Sequence, residues 1–188
     1  LASSATYILN DYVDRESDRK HPRKAHRPLA RGDVNLTLAL AISAVCAISA
    51  LLIAATVSKS LILIVAAYLV LNVAYTVWLK HIPILDVFSI SLGFVLRILA
   101  GTIGVGIEPS GWLMLCGTLI TLFLGFAKRR TESATLVESA VGHRRVLDQY
   151  NVVLLDHLTS ICAGATIVTY GLYTVSPHVI VLHGTTDR

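Results

Sequence analysis

Val34 to Val57 is a run of 24 residues without one charged side chain. At about 1.5 Å of rise per residue, a helix of that length crosses the roughly 30 Å of hydrocarbon in a bilayer. The pattern then repeats. Leu61 to Leu79 reads as a second span, joined to the first by Ser58-Lys59-Ser60, a link short enough only for a hairpin. Ile82 to Ile107 reads as a third, interrupted by Asp86 and Arg97, with Pro83 near its first turn, where proline is tolerated. Trp112 to Ala127 is a shorter fourth after the turn-like Glu108-Pro109-Ser110-Gly111, and a fifth runs from Asn151 to Val175, ended by Ser176-Pro177. The opening stretch Leu1 to Leu9 is too short to cross a bilayer, shows no signal-peptide pattern and reads as the end of a truncated first span. The expected fold is therefore all-α. It is a polytopic transmembrane helix bundle of about five complete spans plus the end of a truncated one, forming a single membrane-embedded domain over residues 1–188. With 54% hydrophobic and 15% charged residues, the chain is neither a soluble enzyme nor disordered, and Cys46, Cys116 and Cys162, each inside an apolar run, make no disulfide framework.

Alternating connections put residues 10–33, 80–81 and 128–149 on one side of the membrane and 58–60 and 107–111 on the other. The first side carries 13 of the 16 basic residues, against Lys59 alone in the opposite loops. The positive-inside rule places that side in the cytoplasm and the protein in the inner or plasma membrane. The same rule explains the net charge of +4. Nucleic acid is not an expected partner, because acids and bases alternate with no aromatic stacking platform.

The richest polar segment is Asn10 to Gly32, NDYVDRESDRKHPRKAHRPLARG. Asp11, Asp14 and Asp18 recur at i, i+3 and i+7, which places them within an arc of roughly 60° on one helix face. Three carboxylates there repel one another unless cations neutralise them. Hard oxygen donors at this spacing suit Mg²⁺, completed by water and phosphate oxygens, and Asn10 can add a carbonyl oxygen. The competing reading is a salt-bridged helix end, with Arg15, Arg19 and Lys20 as the partners. Pro22 and Pro28 then make His21 to Gly32 a loop, dense in Arg23, Lys24, His26, Arg27 and Arg31. Beside a magnesium-type acid cluster such a loop suits a diphosphate; on its own it suits anionic lipid heads.

Tyr75, Lys80, Asp86, Lys128, Arg129 and Glu132 fall at similar depth to this segment. Arg97 lies about 16 Å deeper than Asp86 along the same helix, where an arginine is costly without a polar cavity or an anionic partner. Asp156 and His157, early in the last span, face either the same cavity or the interface. His143, Arg144, Arg145, Asp148 and Tyr150 occupy a connection, with Tyr150 placed to cover a ligand. Gly93, Gly101, Gly104 and Gly106 suit close helix packing. His178 and His183 have no partner pattern.

Asn10-Asp11-x-x-Asp14-x-x-x-Asp18 resembles the first aspartate-rich motif of the UbiA superfamily of intramembrane prenyltransferases. His21-Pro22-x-Lys24-x-x-Arg27-Pro28, Tyr75-x-x-x-Leu79-Lys80, Leu85-Asp86-Val87 leading to Gly93-Phe94-x-Leu96-Arg97, and Lys128-Arg129-x-x-Glu132 are similar to its decaprenyl-phosphate phosphoribosyltransferase branch. The motifs keep their order across residues 7–132, and the last third of the chain resembles the branch loosely. The resemblance implies transfer of 5-phosphoribosyl from 5-phosphoribosyl 1-diphosphate to a polyprenyl phosphate, releasing diphosphate and giving a precursor of cell-wall arabinose donors. It implies that Asn10, Asp11, Asp14 and Asp18 hold Mg²⁺ and the diphosphate. Lys24, Arg27, Lys80, Lys128 and Arg129 would balance phosphate charge, and Tyr75, Arg97 and Glu132 would join the pocket. A homo-oligomer is compatible with it.

Two departures stand out. Asp86 has no second acid to form the DxxxD repeat of members with aromatic acceptors, and the family's bundle has more spans than this chain, which makes the chain a fragment lacking a front helix and the C-terminal spans. The competing functions are prenyl transfer from an isoprenyl diphosphate to an aromatic acceptor, cation transport, and a structural subunit with a lipid-binding basic loop.

Overall fold

A computed structural model describes residues 1–21, 24–136 and 150–176. Among these residues the chain is helical and forms no strand: α1 (Ala2–Arg19), α2 (Pro28–Arg31), α3 (Leu36–Val57), α4 (Lys59–Val77), a 3-10 turn (Leu79–His81), α5 (Leu85–Gly104), α6 (Gly111–Leu136) and α7 (Val152–Thr174). Five of the helices are long and apolar enough to cross a membrane. The expected all-α bundle and its five spans are what the chain forms.

Local chemistry sets the boundaries. The Asn35 side chain accepts from the Thr37 amide at 2.8 Å and starts α3, while Asn151 does the same for α7 through Val153 at 2.8 Å. Ser58 ends α3 and caps α4, its Oγ accepting from the Leu61 amide at 3.0 Å, so the hairpin needs no further loop. Two boundaries differ from expectation. The segment after α1 is not all loop: Pro28, at the first position of α2, supplies the fixed φ that a helix start tolerates, and Gly32 ends that single turn at φ 86°. The fourth span does not stop at Ala127. α6 continues as helix through Leu136, because charged residues end a membrane crossing without ending a helix. Lys128, Arg129 and Glu132 therefore stand on α6 and not in a connection. Pro83 precedes α5 and does not lie in its first turn.

The helices pack as a row. α3 lies against α1 and α4, α1 also against α4, then α4 against α5, α5 against α6 and α6 against α7. A buried cluster of Val87, Leu122, Phe126, Tyr150, Leu155 and Cys162 fills the seam of α5, α6 and α7. The tight glycine contacts are also here: a Cβ on Gly125 would stand 2.5 Å from Val87 Cγ1, and one on Gly117 would stand 2.9 Å from Ile98 Cδ1. Gly93 and Gly104, expected to serve close packing, meet α4 only at ordinary van der Waals distance, and Gly101 and Gly106 meet nothing.

Candidate functional site

Helix α1 carries its acids past the apolar stretch to Arg19, so Asp11, Asp14 and Asp18 share a face as their spacing requires. Each meets a cation from elsewhere in the chain. Arg27 Nη1, reaching back from the turn before α2, lies 2.6 Å from Asp11 Oδ1 and 2.9 Å from Asp18 Oδ2. Lys80 Nζ, from the 3-10 turn between α4 and α5, lies 2.5 Å from Asp14 Oδ1. The Lys80 side chain is only 2% exposed, a depth lysine reaches only when paired. Arg19, expected as a local salt-bridge partner, instead donates from Nε to the Ala30 carbonyl at 2.8 Å, fastening α2 to the end of α1, with Glu16 beside its Nη1 at 3.2 Å.

Burial and the neighbouring acids set the charge state of this face. Burial, with Asp18 and Asp14 alongside, pushes the Asp11 carboxyl above the ordinary carboxylate range against the opposing pull of Arg27 and Lys24. Asp11 also lines a cavity of about 210 Å³ between α1, α2 and α3. Beside it Asn10 Oδ1 is buried without a hydrogen-bond donor, an oxygen whose pairing capacity is unspent.

A second cluster lies at the same end of the helices, between α5, α6 and the residue preceding α7. Asp86, fully buried, lies 2.9 Å from Arg129 Nε through Oδ2, an ion pair not aligned as a hydrogen bond, while its Oδ1 accepts from Tyr150 Oη at 2.5 Å. Arg129 also pairs with Glu132 one turn along α6. Tyr150 Oη in turn accepts from the Ile84 amide at 2.5 Å, holding a non-glycine residue at φ 71° where α5 begins. Burial and the adjacent Asp86 carboxylate raise the Tyr150 hydroxyl well above its usual range. Tyr150 is thus a buried strut and not a cover for a ligand.

The remaining candidates lie apart from these clusters. Arg97, on α5, donates from Nη2 to Tyr68 Oη at 2.5 Å. Tyr75 is half-buried on α4 and Lys128 is exposed. Asp156 and His157 are both exposed on α7, with Asp156 paired to Arg130 at 2.7 Å, so they do not turn into the site. Arg23, His143, Arg144, Arg145, Asp148, His178 and His183 lie outside the described residues. Sequence reasoning missed Tyr68, whose signal is a hydroxyl in the middle of an apolar span.

Among the described residues no three acids, histidines or cysteines converge as a ready metal cage. Magnesium does not require one, since it takes one or two carboxylates and completes its shell with water and phosphate oxygens. The donor set fits that pattern: Asn10 Oδ1 is orphaned, and Asp11 and Asp14 are only partly shielded from solvent, at 32% and 20% exposure. Asp18, at 5%, is closed off and serves to hold Arg27.

A multi-pass membrane bundle with carboxylates and cations gathered at one end of its helices is the class this arrangement defines. Residues 1–143 match the UbiA prenyltransferase family, and the chain belongs to it. It is 33% identical over 176 residues to the decaprenyl-phosphate phosphoribosyltransferase of Mycolicibacterium smegmatis, covering 94% of this chain and 55% of that protein. The proteins of the same name from Corynebacterium glutamicum and Mycobacterium tuberculosis are each 32% identical over 92% of the chain, which covers 53% and 57% of them respectively. The chain thus spans a little over half the length of the curated relatives it matches.

Proposed function

We propose that this chain forms part of a transferase that moves 5-phosphoribosyl from 5-phosphoribosyl 1-diphosphate to a polyprenyl phosphate. The products are polyprenyl-phosphoryl 5-phosphoribose and diphosphate, and the lipid-linked pentose would feed cell-wall arabinan synthesis. The observation that carries the reading is the cluster of Asp11, Asp14, Asp18, Arg27 and Lys80, set at one end of spans similar to those of proteins named decaprenyl-phosphate phosphoribosyltransferase.

In the reaction an oxygen of the lipid phosphate forms a bond to C1 of the ribose while the bond from C1 to the diphosphate oxygen breaks, and the electron pair leaves with diphosphate. An anionic acceptor needs no dedicated base; it needs cations to approach the anionic donor. Arg27 and Lys80 supply two of these, with Lys24, Lys128 and Arg129 as further basic groups. Arg27 offers a fork and Lys80 a point charge. Bound Mg²⁺ would neutralise charge developing on the leaving diphosphate. Asn10, Asp11 and Asp14 would hold the ion, and Asp18 would keep Arg27 in place. Glu132 and Asp86 hold the Arg129 guanidinium in place. Tyr75 stands on α4, five residues before Lys80, where it would border the donor. The basic residues of its connections support a site facing the cytoplasm, where a water-soluble sugar diphosphate is supplied.

The test uses full-length protein in membranes with labelled 5-phosphoribosyl 1-diphosphate, polyprenyl phosphate and Mg²⁺, and counts label extracted into lipid. Magnesium-dependent transfer that Asp14→Ala abolishes is the expected result. Folded wild-type protein that transfers no label, yet prenylates an aromatic acceptor from an isoprenyl diphosphate, overturns it.

A further inference from the structure

The acid and base clusters leave a charge at membrane depth unexplained. Arg97 is in the middle of α5, flanked by apolar spans, and among the described residues no carboxylate reaches it. Its partners are neutral. Nη2 donates to Tyr68 Oη at 2.5 Å, and the guanidinium stands 5.2 Å, 5.3 Å and 6.0 Å from the ring centres of Tyr68, Phe94 and Tyr7. Nε is buried with no acceptor at all. Aromatic faces stabilise such a cation only in part, and a full positive charge at membrane depth calls for an anion.

The space for one is present. Arg97 and Tyr68 border a cavity of about 220 Å³ between α1, α4 and α5, whose other walls include Ile64, Val65 and Ala100. Tyr68 Oη accepts from Arg97 and donates its own proton to Ser3 Oγ at a long 3.5 Å, a weak bond that a phosphate oxygen can displace. One fixed fork, one hydroxyl donor and apolar walls describe a receptor for a single phosphate carrying a hydrocarbon tail.

Depth separates this place from the acid cluster. Tyr7, which Arg97 overlies, precedes Asp11 by one turn of α1, roughly 6 Å along the axis. A phosphate on Arg97 therefore lies about a sugar's width below the Asp11 level and roughly 10 Å below the Asp14–Lys80 pair. We propose that Arg97 and Tyr68 are the phosphate end of the acceptor-lipid site, and not part of the diphosphate site with which the sequence motif groups Arg97. The assignment rests on the transferase reading for the name of the lipid, while the chemistry it requires, an apolar-tailed monophosphate, stands on the geometry of Arg97.

The probe is farnesyl phosphate, titrated into full-length protein in phosphatidylcholine nanodiscs without sugar diphosphate, with farnesol and phosphatidylglycerol as competitors. Arg97→Gln should weaken farnesyl phosphate binding at least about tenfold, the scale of a lost charge-assisted hydrogen bond. Arg97→Lys should restore part of it and Tyr68→Phe should weaken it a few-fold. Farnesol should not compete, and the KM for 5-phosphoribosyl 1-diphosphate should stay within about twofold of wild type. Unchanged farnesyl phosphate binding in folded Arg97→Gln, a rise confined to the KM of the sugar diphosphate, or equal competition by phosphatidylglycerol would each overturn the assignment. If Arg97→Gln fails to fold, binding by Tyr68→Phe that equals wild type overturns it. Arg97-dependent binding without any phosphoribosyl transfer would sink the transferase reading and leave the lipid-phosphate site standing.

Discussion

Tyr150 is a single hydroxyl that satisfies two buried groups at once, accepting from the Ile84 amide and donating to the Asp86 carboxylate. Tyr150→Phe strands both, at about 1–3 kcal/mol for each unpaired group. A melting temperature lower by several degrees in detergent, with the helical circular dichroism unchanged, is the expected outcome. The hydroxyl also predicts a pH signature. Its proton is held more tightly in the folded chain than in the unfolded one, so its contribution is complete below the ordinary tyrosine range near pH ~10 and is lost as pH rises through the folded value. Stability measured between pH 9 and 12 should therefore fall more steeply for wild type than for Tyr150→Phe; equal slopes would show that the proton stays no longer on the folded chain. This bond joins residues 64 apart and the Asp14–Lys80 pair joins residues 66 apart. That is why spacing rules saw the acid triplet on its helix face but not the partner that each acid would take. The motif order carried by the family resemblance brought Lys80 and Arg129 into view, and only the fold assigned Arg129 to Asp86.

Helices were the most legible level, because each apolar run of bilayer length has one conformation open to it in lipid. Their ends were less so. Lys128 to Glu132 reads as a connection by charge, yet Arg129 and Glu132 pair along the same face one turn apart, and the helix continues beneath them. The glycines show the same limit, since composition says that small residues allow close approach but not which ones are opposite a neighbour. Gly125 is the one that counts. Gly125→Ala should drive a methyl into Val87 and cost about 1–3 kcal/mol, whereas Gly101→Ala, facing open space, should cost far less. Thermal unfolding of the two variants side by side checks this, and Val87→Ala combined with Gly125→Ala should recover part of the loss, because the two changes share one contact.

At the scale of the whole molecule the row of helices leaves α3 and α7 at opposite ends, with large apolar side chains such as Ile48, Leu52, Ile167 and Val168 exposed along them. The curated relatives are nearly twice as long as this chain. The charge ledger predicts the orientation of the row. A cysteine replacing Arg31 should react with a membrane-impermeant maleimide only from the cytoplasmic side, and one replacing Lys59 only from the opposite side, while Cys46, Cys116 and Cys162, inside spans, stay unlabelled in intact membranes. The inverse pattern would turn the molecule over and move the acid cluster out of reach of cytoplasmic substrates.

The pairing of Arg27 with both Asp11 and Asp18, and of Lys80 with Asp14, has a consequence for selectivity. In a site of this kind the carboxylates and the bases already hold one another. A phospholipid headgroup that drifts against it brings negative charge alone, and must draw arginine or lysine away from carboxylates that are then left exposed to one another. A divalent ion alone meets the reverse obstacle. A diphosphate that arrives with its metal offers a partner to each side together, so the old contacts exchange for new ones with little change in net charge. On the transferase reading proposed above, that exchange would act as a filter in a membrane crowded with single phosphates, favouring a ligand whose two charges come as a matched set.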